Sequence, residues 1–144
     1  MAQIKLMDKS QVYEVMDLWL RATTSANSFV EPDFWQKHYD FVREKYINEK
    51  ETFIYTDEGK TLGFACVASD NMIMGLFVDP ACQNRGIGTE LVDYLKEEYS
   101  LLHISVYAKN RRAIEFAERG GFLIDGAVLH PYNDEIMYTM LWEK

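Results

Sequence analysis

The sequence predicts a mixed α/β (α+β) fold, with a central sheet of about seven strands and about four helices in a single domain, residues 1–144. Three observations lead there. Apolar residues recur at helical spacing through the first third of the chain, shift to strand-like runs from Glu51, and thereafter alternate between the two patterns. Asp57-Glu58-Gly59-Lys60 and Asp70-Asn71 are turn chemistry between apolar runs, so the middle strands form an antiparallel meander. With 144 residues, 48% of them apolar and 14% aromatic, the chain has material for one core.

Taken in order, Ile4-Lys5-Leu6 reads as a short strand. Asp8 or Ser10 can cap the next helix, where Val12, Val15, Met16, Trp19 and Leu20 keep helical spacing. The polar run Thr23 to Ser28 is expected to end it as a loop. Pro32 suits the first turn of a second helix, Asp33 to about Asn48, with Phe34, His38, Phe41 and Val42 on one face and Trp35, Tyr39 and Tyr46 beside it. The meander strands are then Thr52 to Thr56, Thr61 to Ser69 and Met72 to Val78. Ile87, Leu91, Leu95 and Tyr99 mark a third helix. His103 to Tyr107 reads as a strand, Arg111 to Arg119 as a short helix ended by Gly120-Gly121, and Phe122 to Leu129 and Ile136 to Trp142 as two closing strands. A meander followed by β-α-β-α-β-β makes a mixed sheet, not a uniformly parallel one.

The formal charge is −8, from 23 acidic against 15 basic residues, which repels a phosphate backbone and favours a cationic partner. Nucleic acid is therefore not expected as a partner. No run of about 18 apolar residues suits a membrane span, and Met1 to Asp8 lacks the apolar stretch of a signal peptide. A cytoplasmic location without membrane contact is expected, as monomer or homodimer. Cys66 and Cys82 form no CxxC pair, and His38, His103 and His130 are scattered, so neither a disulfide framework nor a metal site is expected.

Chemistry concentrates in Leu76-Phe77-Val78-Asp79-Pro80-Ala81-Cys82-Gln83-Asn84-Arg85-Gly86-Ile87-Gly88-Thr89-Glu90-Leu91, where a strand passes through a short loop into a helix. The first four N–H groups of a helix lack internal partners, and its dipole adds positive charge at that end, so an anion is stabilised there. Gly86 and Gly88 remove side chains that would keep phosphate oxygens from those amides, and Arg85 adds a cation. A plain structural turn would use the same glycines. Leu91 stands where the dinucleotide GxGxxG needs its third glycine, and the Gly-Lys-Ser/Thr of a P-loop is missing.

Gln83-x-x-Gly86-x-Gly88 resembles the Gln/Arg-x-x-Gly-x-Gly/Ala signature of the GNAT superfamily of N-acetyltransferases, in its expected place after Phe77-Val78-Asp79-Pro80. Val106-Tyr107-Ala108-Lys109-Asn110-Arg111-Arg112-Ala113 through Phe116, Gly120-Gly121 and Phe122 is similar to the family's second signature. The resemblance covers nearly the whole chain and points to small bacterial members that acetylate amines or protein lysines. It implies the GNAT acyl-CoA N-acyltransferase fold and acetyl-CoA as co-substrate, with no metal. Leu76, Phe77 and Val78 would pair with the pantetheine arm and the amides of Gln83, Asn84, Arg85, Gly86, Ile87, Gly88 and Thr89 would hold the pyrophosphate. Asn110, Ala113 and Phe116 would contact the cofactor from the neighbouring strand's end and helix. Phe29, Phe34 and Met74 would face the acceptor, and an N–H near Phe77 would polarise the thioester. Gly75 is a plausible bulge parting the two strands that hold the ligand.

The pattern departs at Ala117, where many members carry a tyrosine as acid for the departing thiol. Expelling thiolate of pKa about 8.5 at pH 7 costs only about 2 kcal/mol, whereas a lysine amine of pKa about 10.4 loses about 4.6 kcal/mol to deprotonation before attack. The missing acid is thus the smaller problem, and Tyr107, Tyr132 or Tyr138 could replace it. Glu31, Asp70 or Glu135 could take the amine's proton through water. Cys66, in an apolar strand, reads as core, since no histidine is placed by sequence to activate it. Trp19, Phe29, Phe34 and Trp35 read as core aromatics, some lining the acceptor. His130 to Asp134 reads as a substrate-facing hairpin loop. Lys109, Arg111 and Arg112 read as a solvated helix start or a site for the cofactor's ribose phosphate. The expected reaction is direct acetyl transfer from acetyl-CoA to a primary amine: a protein lysine, an N-terminal amine or a small polyamine. A non-catalytic acyl-CoA-binding module, a toxin-like aminoacyl-tRNA acetyltransferase and a longer acyl donor stay open.

Overall fold

The structure, a computed structural model, describes residues 1–48 and 50–144, with the side chain of Tyr46, expected beside the second helix, outside the described part. Its strands are β1 (Gln3–Leu6), β2 (Glu51–Asp57), β3 (Lys60–Val67), β4 (Met72–Val78), β5 (Leu101–Tyr107), β6 (Leu123–Leu129) and β7 (Ile136–Glu143), and its helices are α1 (Val12–Ala26), α2 (Pro32–Val42), α3 (Ile87–Glu98) and α4 (Arg111–Arg119). The strands form one seven-stranded sheet in the order β1-β2-β3-β4-β5-β7-β6. Every pairing is antiparallel except β4 with β5. This is the mixed sheet that the turn chemistry and alternating periods predict.

Several boundaries differ from the sequence reading. Thr23 to Ala26 continue α1 instead of forming a loop. Thr23 is buried at 2% exposure and its hydroxyl accepts Asn27 Nδ2 at 3.2 Å, so a polar residue meets its needs inside the helix. The second helix stays α-helical only to Val42 and passes into a π turn over Arg43–Ile47. Tyr99 leaves helical geometry as an extended cap of α3, and β5 starts two residues earlier than expected, at Leu101. Ala68 and Ser69 belong to the β3–β4 turn, closed by Ala68 N–H to Met72 O at 2.9 Å.

Strand alternation sends side chains to two layers. On one face Leu91 and Leu95 of α3 pack with Leu102, Phe122 and Met140, and Ala117 of α4 joins them. On the other, Val15, Met16 and Trp19 of α1 and Trp35 of α2 cover Ile54, Phe64 and Cys66. Each fully buried large side chain contributes about 1.5–3 kcal/mol, so β2 and β3, buried on both faces, anchor the sheet. The edge strand β6 is mostly exposed by contrast. Neighbours Val106 and Tyr107 on β5 fall to opposite layers, which decides what each can reach.

Candidate functional site

The site begins where β4 leaves β5. Parallel pairing holds only at Met72 with His103 and Ile73 with Ile104. Beyond those two rungs β4 remains paired to β3 on its other side, and β5 to β7, so 74–78 and 105–107 part as the arms of a wedge. A bulge causes the turn-away. Cys66 pairs with Gly75 and Val67 with Ile73, which leaves Met74 as the extra residue in β4, one place before the glycine marked by the sequence. The inner edges of the wedge carry backbone groups with no ladder partner across it, ready for an extended amide-bearing ligand.

β4 runs directly into the next feature. Asp79 closes the strand by its N–H to Leu62 O at 2.8 Å, and its carboxylate accepts Ala81 N–H at 2.9 Å and pairs with Arg21 of α1 at 3.1 Å. The Ala81 N–H first and Arg21 second hold the Asp79 carboxyl below the usual carboxylate range. The chain then turns through Asn84 and Gly86, both left-handed at φ 67° and 81°, into α3. Gly86 is the N-cap, and a Cβ built there would meet nothing within 4 Å. Its glycine therefore serves the backbone conformation and leaves open space above the helix entrance. Gly88 is small for another reason, because a Cβ there would lie 3.1 Å from the Phe116 ring of α4. The sequence reading gave both glycines one steric purpose; packing divides it.

Asn84, Arg85, Gly86 and Thr89 are exposed, so the α3 entrance is neither buried nor covered by side chains. Arg112 reaches across from α4 to donate to Asn84 Oδ1 at 3.0 Å, which places a second guanidinium beside the turn. The unpaired amides, open space and cations suit a diphosphate, and the wedge suits the amide-rich arm attached to it. Asn110 is engaged by the protein: its Oδ1 caps α4 at Ala113 N–H, 3.1 Å, and its Nδ2 donates to Asn27 Oδ1 at 3.2 Å. It ties the end of α1 to the start of α4, and a cofactor contact would be made from that fixed position.

The remaining residues surround a cleft of about 200 Å³ lined by Phe29, Val30, Glu31, Phe34, Asn133 and Glu135. Tyr107, at the end of β5, joins it to the wedge, with its ring 5.3 Å from Phe29, 6.2 Å from Trp35 and stacked 5.8 Å from His130. Phe34 contacts Trp35 at 4.9 Å and His38 at 4.3 Å, and Tyr132 closes the group at 5.5 Å from His38 and 5.9 Å from His130. Trp19 and Trp35 are buried, whereas Phe29 and Phe34 are half-buried at the cleft wall. Asn133 Nδ2 donates to the Tyr107 phenol at 2.8 Å, which leaves the phenol's own proton available to another acceptor. Burial pushes the Tyr107 pKa up, so that proton stays on. Burial first, and His38 second, lower the His130 pKa, and its Nδ1 accepts Tyr132 N–H at 3.2 Å, as a neutral ring does.

Of the three tyrosines singled out by sequence, Tyr107 lies at the cleft, Tyr132 is 71% exposed at its mouth, and Tyr138 packs on the opposite face with the α3 and α4 layer. Ala117 is buried in that same layer. Met74 sits at the bulge, 38% exposed. Glu31 and Glu135 line the cleft, while Asp70 belongs to the β3–β4 turn at the other end of β4. Cys66 is buried, and burial pushes its thiol up to about 11, away from nucleophilic use. Sequence reasoning missed the roles of Asn27 and Asn133; a pairing such as Asn27 with Asn110, 83 positions apart, leaves no local signal. Among the described residues no group of three or more His, Cys, Asp or Glu side chains is placed to hold a metal, and no helix is long and apolar enough to cross a membrane.

Comparison with known proteins gives the geometry a context. The sequence profile described as the acetyltransferase (GNAT) family matches residues 12–122. The chain is 31% identical over 121 residues to the peptidyl-lysine N-acetyltransferase YiaC of Escherichia coli K12, covering 84% of this chain and 83% of the relative. It is 25% identical over 114 residues to peptidyl-lysine N-acetyltransferase YjaB of the same organism, 78% of this chain and 76% of that protein. The solution structure of apo YjaB superposes with a TM-score of 0.86 at 19% identity, covering 99% and 97% of the two chains. The PaiA N-acetyltransferase of Thermoplasma acidophilum, solved with coenzyme A, superposes with a TM-score of 0.82 at 13% identity over 100% and 99%.

Proposed function

The chain belongs to the GNAT family of acetyltransferases, and from that premise we propose that its 144 residues act as one cytoplasmic domain transferring acetyl from acetyl-CoA directly to a primary amine, foremost a protein lysine. The observation that carries this reading is the parting of β4 from β5 after two rungs, with the open α3 entrance at the end of one arm and Tyr107 with its cleft at the end of the other. The amides from Gln83 to Thr89, with Arg85 beside them, would hold the diphosphate. Leu76, Phe77 and Val78 would pair with the pantetheine amides, and Ala113 and Phe116 would flank them from α4. Acetyl-CoA, when bound, supplies an activated thioester.

The protein's own residues do the rest. An N–H near Phe77 in the wedge polarises the carbonyl oxygen, and the fixed strands hold the reacting groups in line, so positioning and preorganised dipoles carry most of the rate. Phe29, Phe34 and Met74 would border the acceptor. The Tyr107 phenol, its oxygen already accepting from Asn133, keeps a proton to give to the departing sulfur. The net charge of −8 favours a cationic acceptor. The names of YiaC and YjaB, peptidyl-lysine N-acetyltransferases, support lysine in that place.

A screen of lysine peptides, N-terminal amines and polyamines, following release of the CoA thiol, tests the reading. Lysine peptides are expected to turn over best. Buried Ala117, with no hydroxyl where many relatives carry tyrosine, favours a second reading as a non-catalytic acyl-CoA-binding module. Tight acetyl-CoA binding without turnover of any amine would establish that second reading and end the first.

A further inference from the structure

A cation borders the cleft and pairs with one of its walls. Lys109 follows Tyr107 by two residues, and its Nζ lies 3.3 Å from each carboxylate oxygen of Glu135 and 5.9 Å from the centre of the Phe29 ring. Phe29 and Glu135 both line the cleft. The two partners are unequal: the Glu135 side chain is 19% exposed and that of Lys109 is 62% exposed. The Glu135 backbone is held, because its N–H donates to Asn133 Oδ1 at 3.1 Å while Asn133 Nδ2 donates to the Tyr107 phenol at 2.8 Å. One loop residue thus ties the Glu135 backbone and the Tyr107 phenol together. A carboxylate beside an aromatic ring recognises a primary ammonium through charge-assisted hydrogen bonds and the ring's quadrupole. The side chain found there is a lysine, and an acceptor lysine offers the same donors on the same stem.

We propose that Glu135 and Phe29 form a subsite for primary alkylammonium groups and that Lys109 is its built-in occupant, displaced when an acceptor lysine enters. This rests on the amine-transfer reading for its purpose, and names how that site selects its acceptor. Displacement is cheap, because Lys109 is solvated along most of its length and an exposed ion pair adds little. The largely buried carboxylate, on a backbone held by Asn133, is what persists. Lys109 therefore acts as an internal competitor, and thins the binding of amines that cannot match its contacts. If Lys109 instead serves the cofactor's ribose phosphate together with Arg111 and Arg112, its loss will weaken acetyl-CoA and leave amines alone.

The test uses the full chain and the variants Lys109→Met, Lys109→Arg, Glu135→Gln and the Lys109→Met/Glu135→Gln pair, each checked for an unchanged circular dichroism spectrum. Nα-acetyl-lysine methylamide is titrated by NMR without acetyl-CoA, and steady-state kinetics follow with the same amine. Lys109→Met is expected to tighten the amine's Kd by about two- to fivefold, the factor an exposed ion pair is worth, and to lower its KM equally with kcat and the KM for acetyl-CoA unmoved. Lys109→Arg should weaken the amine, since a guanidinium grips a carboxylate with two parallel bonds. Glu135→Gln should weaken it too, and in that background Lys109→Met should have no effect, a non-additivity that loss of general packing does not produce. Unchanged or weaker amine binding in Lys109→Met, or a raised KM for acetyl-CoA, overturns the proposal. Because the titration contains no acetyl-CoA, the two readings fail separately. Amine binding that follows the pattern without turnover upholds the subsite and sinks the transfer reading; turnover with a flat titration does the reverse.

Discussion

Replacing Tyr107 with Phe removes one oxygen from a ring that is 7% exposed, and its two consequences separate cleanly. The first is structural. Asn133 Nδ2 loses its acceptor at 2.8 Å, and a half-buried donor without a partner costs about 1 kcal/mol, or about 3 °C in Tm for a chain of this size. The second is catalytic and has a ceiling. An acid for the departing sulfur can contribute no more than the cost of expelling thiolate unaided, about 2 kcal/mol at pH 7 for a thiol of pKa about 8.5, which is about 30-fold in kcat. Breaking the C–S bond to thiolate does not itself depend on bulk pH, so the deficit should be flat between about pH 6.5 and 9.5 as long as the phenol holds its proton. Burial raises the Tyr107 pKa, so the phenol keeps its proton across that range; the stability its neutral form contributes is lost only above the ordinary tyrosine pKa of 10.0, outside the window. The measurement is kcat from thiol release between about pH 6.5 and 9.5, parent against Tyr107→Phe, with Tm recorded alongside. A deficit that changes with pH inside that window, or no deficit at all, would refute the assignment of Tyr107 as the acid.

Three further outcomes follow from the geometry. Gly86→Val puts a β-branched residue at φ 81° with no atom within 4 Å of its Cβ, so it should lose about 1–2 kcal/mol to backbone strain without a packing clash, and CoA affinity by calorimetry should drop at least about tenfold; undiminished affinity contradicts the diphosphate cradle. Cys66, buried with its thiol raised to about 11, should resist iodoacetamide in the native protein at about pH 8 while the partly exposed Cys82 reacts, and both should react in denaturant; two alkylated thiols in the native state would show that β3 is not the core strand described. His130 has a folded pKa below its ordinary 6.5, so the unfolded chain takes up the proton first and stability should fall as pH drops through about 6.5; a Tm profile between about pH 5 and 7 should be flatter in His130→Phe, and a parallel profile would remove His130 from the account.

The mixed α/β architecture was readable because its determinants are local. A run of residues with strand character between turn residues carries its own instructions, and so does a helix marked by Ile87, Leu91 and Leu95. The turn at Gly86 could be read for the same reason, as could the bulge beside Gly75, placed within one residue of Met74. Errors cluster where burial overrules composition. Thr23 looks like loop chemistry until its hydroxyl and its backbone carbonyl are both seen to accept from Asn27 Nδ2 inside the protein. The helix after Pro32 changes to a π turn at Arg43, a change of winding that periodicity does not register.

What the sequence determined by itself is the family signature, the meander, the order of elements and an exposed helix start flanked by glycines, since each depends on neighbours a few positions apart. Tertiary structure alone decided which tyrosine meets the cleft, because Tyr107 and Tyr138 are both strand residues and only the layers packed on each face tell them apart. It also decided that Asn133 joins Tyr107 across 26 positions, and that Lys109 meets Glu135 across the same separation. Side-chain direction along a strand is local, but what waits in that direction is set by pairing between distant segments, and no window of sequence contains both.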